Sequence, residues 1–247
     1  MTASPRSRTV DPATPVLLVD VGGVLLLHNH DLLMPITAKY GGVSTVEDFQ
    51  RAHYACHHAS RPASGPTTDY YDIFDQYAGI PEAQREAFRE EYRTYSHTRN
   101  MCHWPDPAAK QTLTELVAAD TPVVVVSQAD GTIAQMLWDA GMCQEGEGPG
   151  VAVDAIVDSE VVGFNKPDPQ LFLHALSLVG ALPQQAIHVG DTVRADVRGA
   201  QAAGIRALHY DPFDDCDDAP GDHDHIRTLA EVVPHLDRLG EQLRSES

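Results

Sequence analysis

Four polar side chains of this chain stand where apolar runs end. Asp20 follows V-L-L-V at 16–19, Ser127 follows four valines at 123–126, and Asp191 follows H-V-G at 188–190. Lys166, one of three lysines in the chain, sits in G-F-N-K-P-D-P just ahead of an apolar helical stretch. An ionised carboxylate at the end of a buried strand is costly unless something uses it. Gly22 and Gly23 follow Asp20 at once, so the chain can turn sharply there and another group can approach its backbone. If a sheet brings the four side chains to one edge, they suit a phosphoryl group. One carboxylate attacks, a hydroxyl and an ammonium hold the oxygens, and a second carboxylate helps bind a hard divalent cation. Singly, each has an ordinary explanation: a turn serine, a solvated lysine, a helix-capping aspartate. Their recurrence at successive strand ends argues for a site.

Such positions need strands that run the same way. Residues 16–19 and 123–126 are Val/Leu runs without alternation, which suits strands covered on both faces. From residue 105 onward the pattern alternates. Helices are expected over 108–119, 131–140, 169–179, 192–203 and 226–239, and strands over 122–126, 152–158, 186–189 and 205–210. Repeated strand–helix–strand order predicts an α/β fold, a doubly wound parallel sheet with its ligand at the carboxyl ends of the strands. Residues 28–104 interrupt this order and predict helices over 46–58, 68–77 and 82–98, with a loop over 61–66. The organisation expected is an α/β core of 14–27 and 105–247, an inserted helical cap of 28–104 and a flexible leader of 1–13.

Charge narrows the partners. Thirty-six acidic residues face 17 basic ones, a formal net of −19. With no basic stripe, nucleic acid is excluded as a partner, and an anionic membrane surface would be repelled. No apolar stretch reaches the 18 or more residues of a membrane span, and Asp20 breaks the one that resembles a signal sequence. Cys56, Cys102, Cys143 and Cys216 form no C-x-x-C pair and read as reduced thiols, so a cytoplasmic location is expected. Two further features read as unremarkable. His53 and His57 lie one helical turn apart, but no third ligand of matching spacing accompanies them. The stretch 211–225 holds seven aspartates without the spacing of a calcium loop and reads as a solvated acidic loop.

The chain resembles the haloacid dehalogenase-like hydrolase superfamily over nearly its whole length. Asp20-Val21-Gly22-Gly23-Val24-Leu25 is similar to the first motif, Ser127 to the second and Lys166 in N-K-P-D-P to the third. Gly190-Asp191, with Asp196 and the glycines 199 and 204, is similar to the fourth. The resemblance implies a Rossmann-like core with a small helical cap and Asp20 as the nucleophile, acting with Ser127 and Lys166. Ser127, Gln128, Lys166 and Gly23 would bind phosphate. Asp20, the Gly22 carbonyl and Asp191 would hold Mg2+, with Asp196 as ligand or support. The reaction implied is Mg2+-dependent removal of phosphate from a small phosphorylated metabolite through an aspartyl-phosphate.

One position departs from the family pattern. Phosphatases of this superfamily carry a second Asp two residues after the nucleophile, where this chain has Gly22. That acid protonates the leaving oxygen and then activates water, help typically worth about 10²–10⁴-fold. A haloacid dehalogenase, another non-phosphatase hydrolase and a catalytically weak metabolite-binding protein therefore stay open as alternatives. His28, His30 and Asp31 lie just past the motif, as either substitute proton carriers or ordinary hinge residues. Substrate and oligomeric state are not legible.

Overall fold

The computed structural model describes residues 9–60, 66–98, 102–216 and 221–246. Its strands are β1 (Val16–Val19), β2 (Leu26–His28), β3 (Cys102–Pro105), β4 (Val123–Ser127), β5 (Cys143–Glu145), β6 (Val151–Val153), β7 (Ala155–Asp158), β8 (Ala186–Gly190), β9 (Arg206–Tyr210) and β10 (Asp224–Ile226). Its helices are α1 (His30–Lys39), α2 (Val46–Ser60), α3 (Tyr70–Tyr77), α4 (Arg85–Thr98), α5 (Pro107–Ala118), α6 (Ile133–Asp139), α7 (Ser159–Val162), α8 (Pro169–Val179), α9 (Arg198–Ala202) and α10 (Val233–Glu246).

Among the described residues, six strands form one sheet in the order β10-β9-β8-β1-β4-β7, and every pairing in it is parallel. β1 lies between β8 and β4, with Leu17 opposite both Ile187 and Val123. Its side chains alternate between two cores, Leu17 and Val19 entering one and Val16 and Leu18 the other. Both faces are covered by helices, which is why the run shows no polar alternation. From β1 the sheet grows to β4 and β7 on one side and to β8, β9 and β10 on the other. That reversal opens a crevice at the carboxyl end of β1, where Asp20 stands.

The inserted residues have a core of their own, built from Leu33, Phe49, Phe74, Phe88 and Tyr92. Asp75 is buried there between Arg85 and Arg89. An antiparallel ribbon of β2 and β3 joins this cap to the sheet, with Leu27 opposite Trp104. The Asp106 N–H donates to Leu25 O at 3.0 Å, so the chain leaves and re-enters the core at one place. The 28–104 boundary therefore cuts through a strand pair that the sequence reading lacked, because strands of three and four residues are too short to show a period.

Other expectations shift. The strand expected over 152–158 breaks at Asp154, whose Oδ2 accepts the Val123 N–H; β6 then pairs with β5, while β7 joins the main sheet. The helix expected over 192–203 begins as a π-helical turn, Val193–Val197, and becomes α9. The last helix starts at Val233 rather than 226, because Ile226 ends β10. The leader ends sooner than residue 13, since Val10 is buried and donates its N–H to Val179 O. Residues 1–8 of the leader and 61–65 of the expected loop lie outside the described residues. No helix among the described residues is long and apolar enough to cross a membrane.

Candidate active site

Asp20 is fixed from β8, its N–H donating to Val189 O at 2.9 Å. The chain then folds back in a tight turn in which Val21 O accepts the N–H groups of Leu25 and Leu26. Gly23 has a φ of +76°, and a Cβ built there would lie 2.2 Å from Asp191 Oδ2. Glycine is needed at 23 on both counts, conformation and space. Its N–H donates to Leu26 O and its carbonyl accepts the Tyr54 hydroxyl. The Gly23 N–H is thus engaged inside the turn, and the absence of a side chain at 23 leaves room for Asp191. Gly22 differs, because a Cβ there meets nothing within 4 Å.

Lys166 reaches the same point from the loop before α8. Its ammonium donates to Asp20 Oδ1 and to Asp196 Oδ1, both at 2.6 Å. Asp196 is turned inward by the π-helical turn, accepts the Thr192 N–H at 3.2 Å and lies 2.9 Å from His188 Nε2. A Cβ on Gly190 would lie 2.2 Å from Asp196 Cγ, so this glycine makes room for the carboxylate. Both oxygens of Asp196 are thus hydrogen-bonded, and the residue anchors Lys166. Those of Asp191 are not both bonded. Its Oδ1 accepts the Thr192 hydroxyl, while Oδ2 is buried and takes no hydrogen bond.

Burial pushes the Asp20 carboxyl up to about 7, opposed by the Lys166 ammonium and reinforced by Asp196 and Asp191. For Asp196 burial acts in the same sense, but Lys166 and His188 outweigh it and hold the group well below its ordinary range. Burial works against the Lys166 ammonium, and the two carboxylates more than restore it. One buried ammonium thus faces three carboxylates whose donor atoms lie within 4.8 Å of one another. Ionised, the group carries a net −2, which a divalent cation balances. Asp191 Oδ2, which takes no hydrogen bond and faces His57 Nδ1 at 3.2 Å, and this all-oxygen donor set fit Mg2+.

Ser127 ends β4, and the loop after it is pinned from β7. Asp158 Oδ2 accepts the N–H groups of Gly131 and Ile133, and Ser159 Oγ accepts that of Ala129. Asp20, Gly22, Gly23, Ser127, Gln128, Lys166, Asp191 and Asp196 all line one cavity of about 520 Å³ between sheet and cap. The cap side is supplied by His28, His53, His57 and Tyr70. The His28 and His53 rings lie 3.6 Å apart, and His53 Nδ1 lies 3.2 Å from the Tyr70 hydroxyl. Burial pulls His28 down to about 3 and takes His53 well below the ordinary histidine range, so both are neutral. His57 Nδ1 lies 3.2 Å from Asp191 Oδ2. The sequence reading set His53 and His57 aside for want of a third ligand; their spacing on α2 was the signal that one helix face meets the site. His30 packs on Trp104, and neither it nor Asp31 lines the cavity.

Residues 14–204 match the family model of the haloacid dehalogenase-like hydrolases. The chain belongs to that family. Haloacid dehalogenase-like hydrolase domain-containing protein 3 of Homo sapiens is 31% identical over 171 residues, 66% of this chain and 63% of its own length. The ribulose-1,5-bisphosphate 5-phosphatase of Halopiger xanaduensis is 30% identical over 136 residues, 55% and 54% of the two chains. The chain thus spans less than two thirds of the length of these curated relatives. Among solved structures, the HAD phosphatase of Thermococcus onnurineus matches with a TM-score of 0.53 at 21% identity, over 90% of this chain and 98% of its own. The HAD-hydrolase YfnB of Bacillus subtilis, bound to magnesium, matches with a TM-score of 0.55 at 19% identity, over 91% and 99%. Their likeness is one of fold, and it agrees with the α/β architecture expected from the sequence.

Proposed function

We propose that this haloacid dehalogenase-like hydrolase is a Mg2+-dependent phosphatase that acts on a small phosphorylated metabolite through an aspartyl-phosphate. The observation that carries the reading is the Asp191 Oδ2 atom, buried without a hydrogen bond beside Asp20 in a site with a net charge of −2. Phosphatase names among the relatives and the magnesium-bound YfnB structure support it. Asp20, Asp191 and the Gly22 carbonyl would hold Mg2+, which when bound offsets the charge between an anionic nucleophile and an anionic substrate.

In this mechanism an Asp20 oxygen attacks phosphorus as the bond to the leaving oxygen breaks. Ser127 and Lys166 hold the phosphoryl oxygens, with Gln128 beside them. Lys166 stays fixed by Asp196, so its charge is already in place when negative charge builds up. Water then attacks phosphorus, returning the carboxylate and releasing phosphate. The cavity admits a metabolite of modest size, and the cap closes its far side. The cytoplasmic location expected from the free thiols belongs to this same proposal.

With Gly22 in place no carboxylic acid stands ready for the leaving oxygen, which favours substrates whose leaving group needs little protonation, such as sugar 1-phosphates. A panel of phosphate monoesters with and without Mg2+ tests the reading. Phosphate release that requires the metal supports it; none from any ester ends it. The missing acid also fits halide displacement, so chloride release from a 2-haloacid, unaffected by chelator, would mark a dehalogenase instead. The Cβ introduced by Gly22→Asp would meet no atom within 4 Å. The substitution should raise the rate on alkyl phosphates by about 10²–10⁴-fold and change aryl phosphates far less. Equal effects on both classes would show that proton transfer is not the missing element.

A further inference from the structure

The acidic stretch after β9 does more than meet solvent. His209 on β9 and His225 on β10 are register partners on adjacent parallel strands. His223 precedes β10, and Cys216 lies on the segment between the two strands. Each offers one donor atom, and the four donors all lie within 4.8 Å of one another.

The distances have the scale of a coordination sphere. His223 Nε2 lies 3.2 Å from His209 Nδ1 and 3.8 Å from Cys216 Sγ. A tetrahedral Zn2+ with ordinary bond lengths separates two nitrogens by about 3.3 Å and a nitrogen from a sulfur by about 3.6 Å. The surrounding hydrogen bonds point the same way. His209 Nε2 lies 3.1 Å from Asp191 O, an atom that only accepts, so the ring proton is on Nε2 and Nδ1 presents its lone pair to the cluster. His225 Nδ1 lies 3.3 Å from Asp211 Oδ2, a carboxylate behind an imidazole. Carbonyl and carboxylate partners of this kind orient metal-bound histidines.

We propose that His209, Cys216, His223 and His225 form a tetrahedral site for a borderline-soft divalent cation of the Zn2+ class, separate from the all-oxygen site at Asp20 and Asp191. Three imidazoles and one thiolate select such an ion over Mg2+ or Ca2+. Binding releases the Cys216 thiol proton, and His223 shifts its ring proton from Nε2 to Nδ1. The ion ties Cys216 and His223 to the sheet edge at His209 and His225, and through His209 it steadies the Asp191 backbone. The site does not depend on the phosphatase reading.

The test is a cobalt titration of the untagged, chelator-treated full chain, followed by visible absorption. We expect the first equivalent to bind with intense tetrahedral d–d bands and a thiolate-to-cobalt charge-transfer band, and any cobalt at the oxygen site of Asp20 and Asp191 to add only weak octahedral absorption. The band reports Cys216, because Cys56, Cys102 and Cys143 are all held protonated by burial. Cys216→Ser should remove the charge-transfer band while leaving weaker binding. His223→Ala should weaken binding at least tenfold, and added Zn2+ should raise the melting temperature of the wild type more than that of either variant. Asp191→Ala should leave the charge-transfer band unchanged, because it is the Asp191 backbone carbonyl that pairs with His209. Absence of stoichiometric cobalt, a spectrum without the thiolate band, or a band that survives Cys216→Ser would overturn the proposal.

Discussion

Asp20→Asn should reduce turnover about 10⁴–10⁶-fold, the scale on which loss of a nucleophile acts, and leave the fold intact. The two side chains are nearly the same shape, and the backbone bond from Asp20 N to Val189 O is untouched. Lys166 keeps its bond to Asp196 and so stays charged and in place. Stability gives an independent readout. The Asp20 carboxyl is pushed up to about 7 from an ordinary 3.8 because burial disfavours its charged form. Between those values the native state binds more protons at this residue than the unfolded chain does, so its contribution to stability falls as pH rises from about 4 to about 7. Asparagine has no such slope. In chelator, the stability gap between Asn variant and wild type should therefore widen in favour of the variant across that window, as read by urea unfolding at several pH values. An active Asn variant would end the covalent mechanism, whereas a dead variant with the expected stability profile would support it.

The strand-end half of the candidate site was legible because each residue breaks an apolar pattern at a place where the fold must turn. Asp20 and Ser127 stand directly after β1 and β4, and a buried strand leaves few reasons for a carboxylate or hydroxyl there. Asp196 was harder to place. A regular helix through 192–203 carries no sign that the first turn is π-helical, and that turn aims its carboxylate at Lys166 and His188. The type of Gly23 announces close approach of another group, and the Asp191 side chain is one such group, though nothing in the sequence names it.

The histidines were illegible because what unites them is tertiary. His57 reaches Asp191 only because the β2–β3 ribbon holds α2 over the sheet, and strands that short leave no periodic trace. His209, Cys216, His223 and His225 follow none of the usual ligand spacings, and β10 is three residues, Asp-His-Ile, at the edge of the sheet. Composition hid them further, since seven aspartates in fifteen residues drew the reading toward solvent. The parallel register that sets His225 against His209 is what turns a polar stretch into a cluster.

Asp191→Ala should abolish Mg2+ activation together with most of the rate. The substitution removes one of the two carboxylates aimed at the ion and takes the site from a net −2 to −1, with Asp20, Asp196 and Lys166 remaining. Even partners of a metal ligand are typically worth 10–100-fold in affinity, so loss of the ligand itself should weaken Mg2+ binding by at least about 10²-fold. Isothermal titration of Mg2+ into the wild type and the variant reads this directly. Gly23 already leaves space around the lost carboxylate, and the Asp191 carbonyl that receives His209 is part of the backbone, so the fold has no cause to collapse. Asp191→Asn keeps the shape without the charge and should still fail to bind the ion tightly. That outcome would assign the loss to charge rather than packing. If the wild type turns over equally well in chelator and the variant matches it, Asp191 serves no metal. The site would then belong with the metal-free halide chemistry that Gly22 also allows.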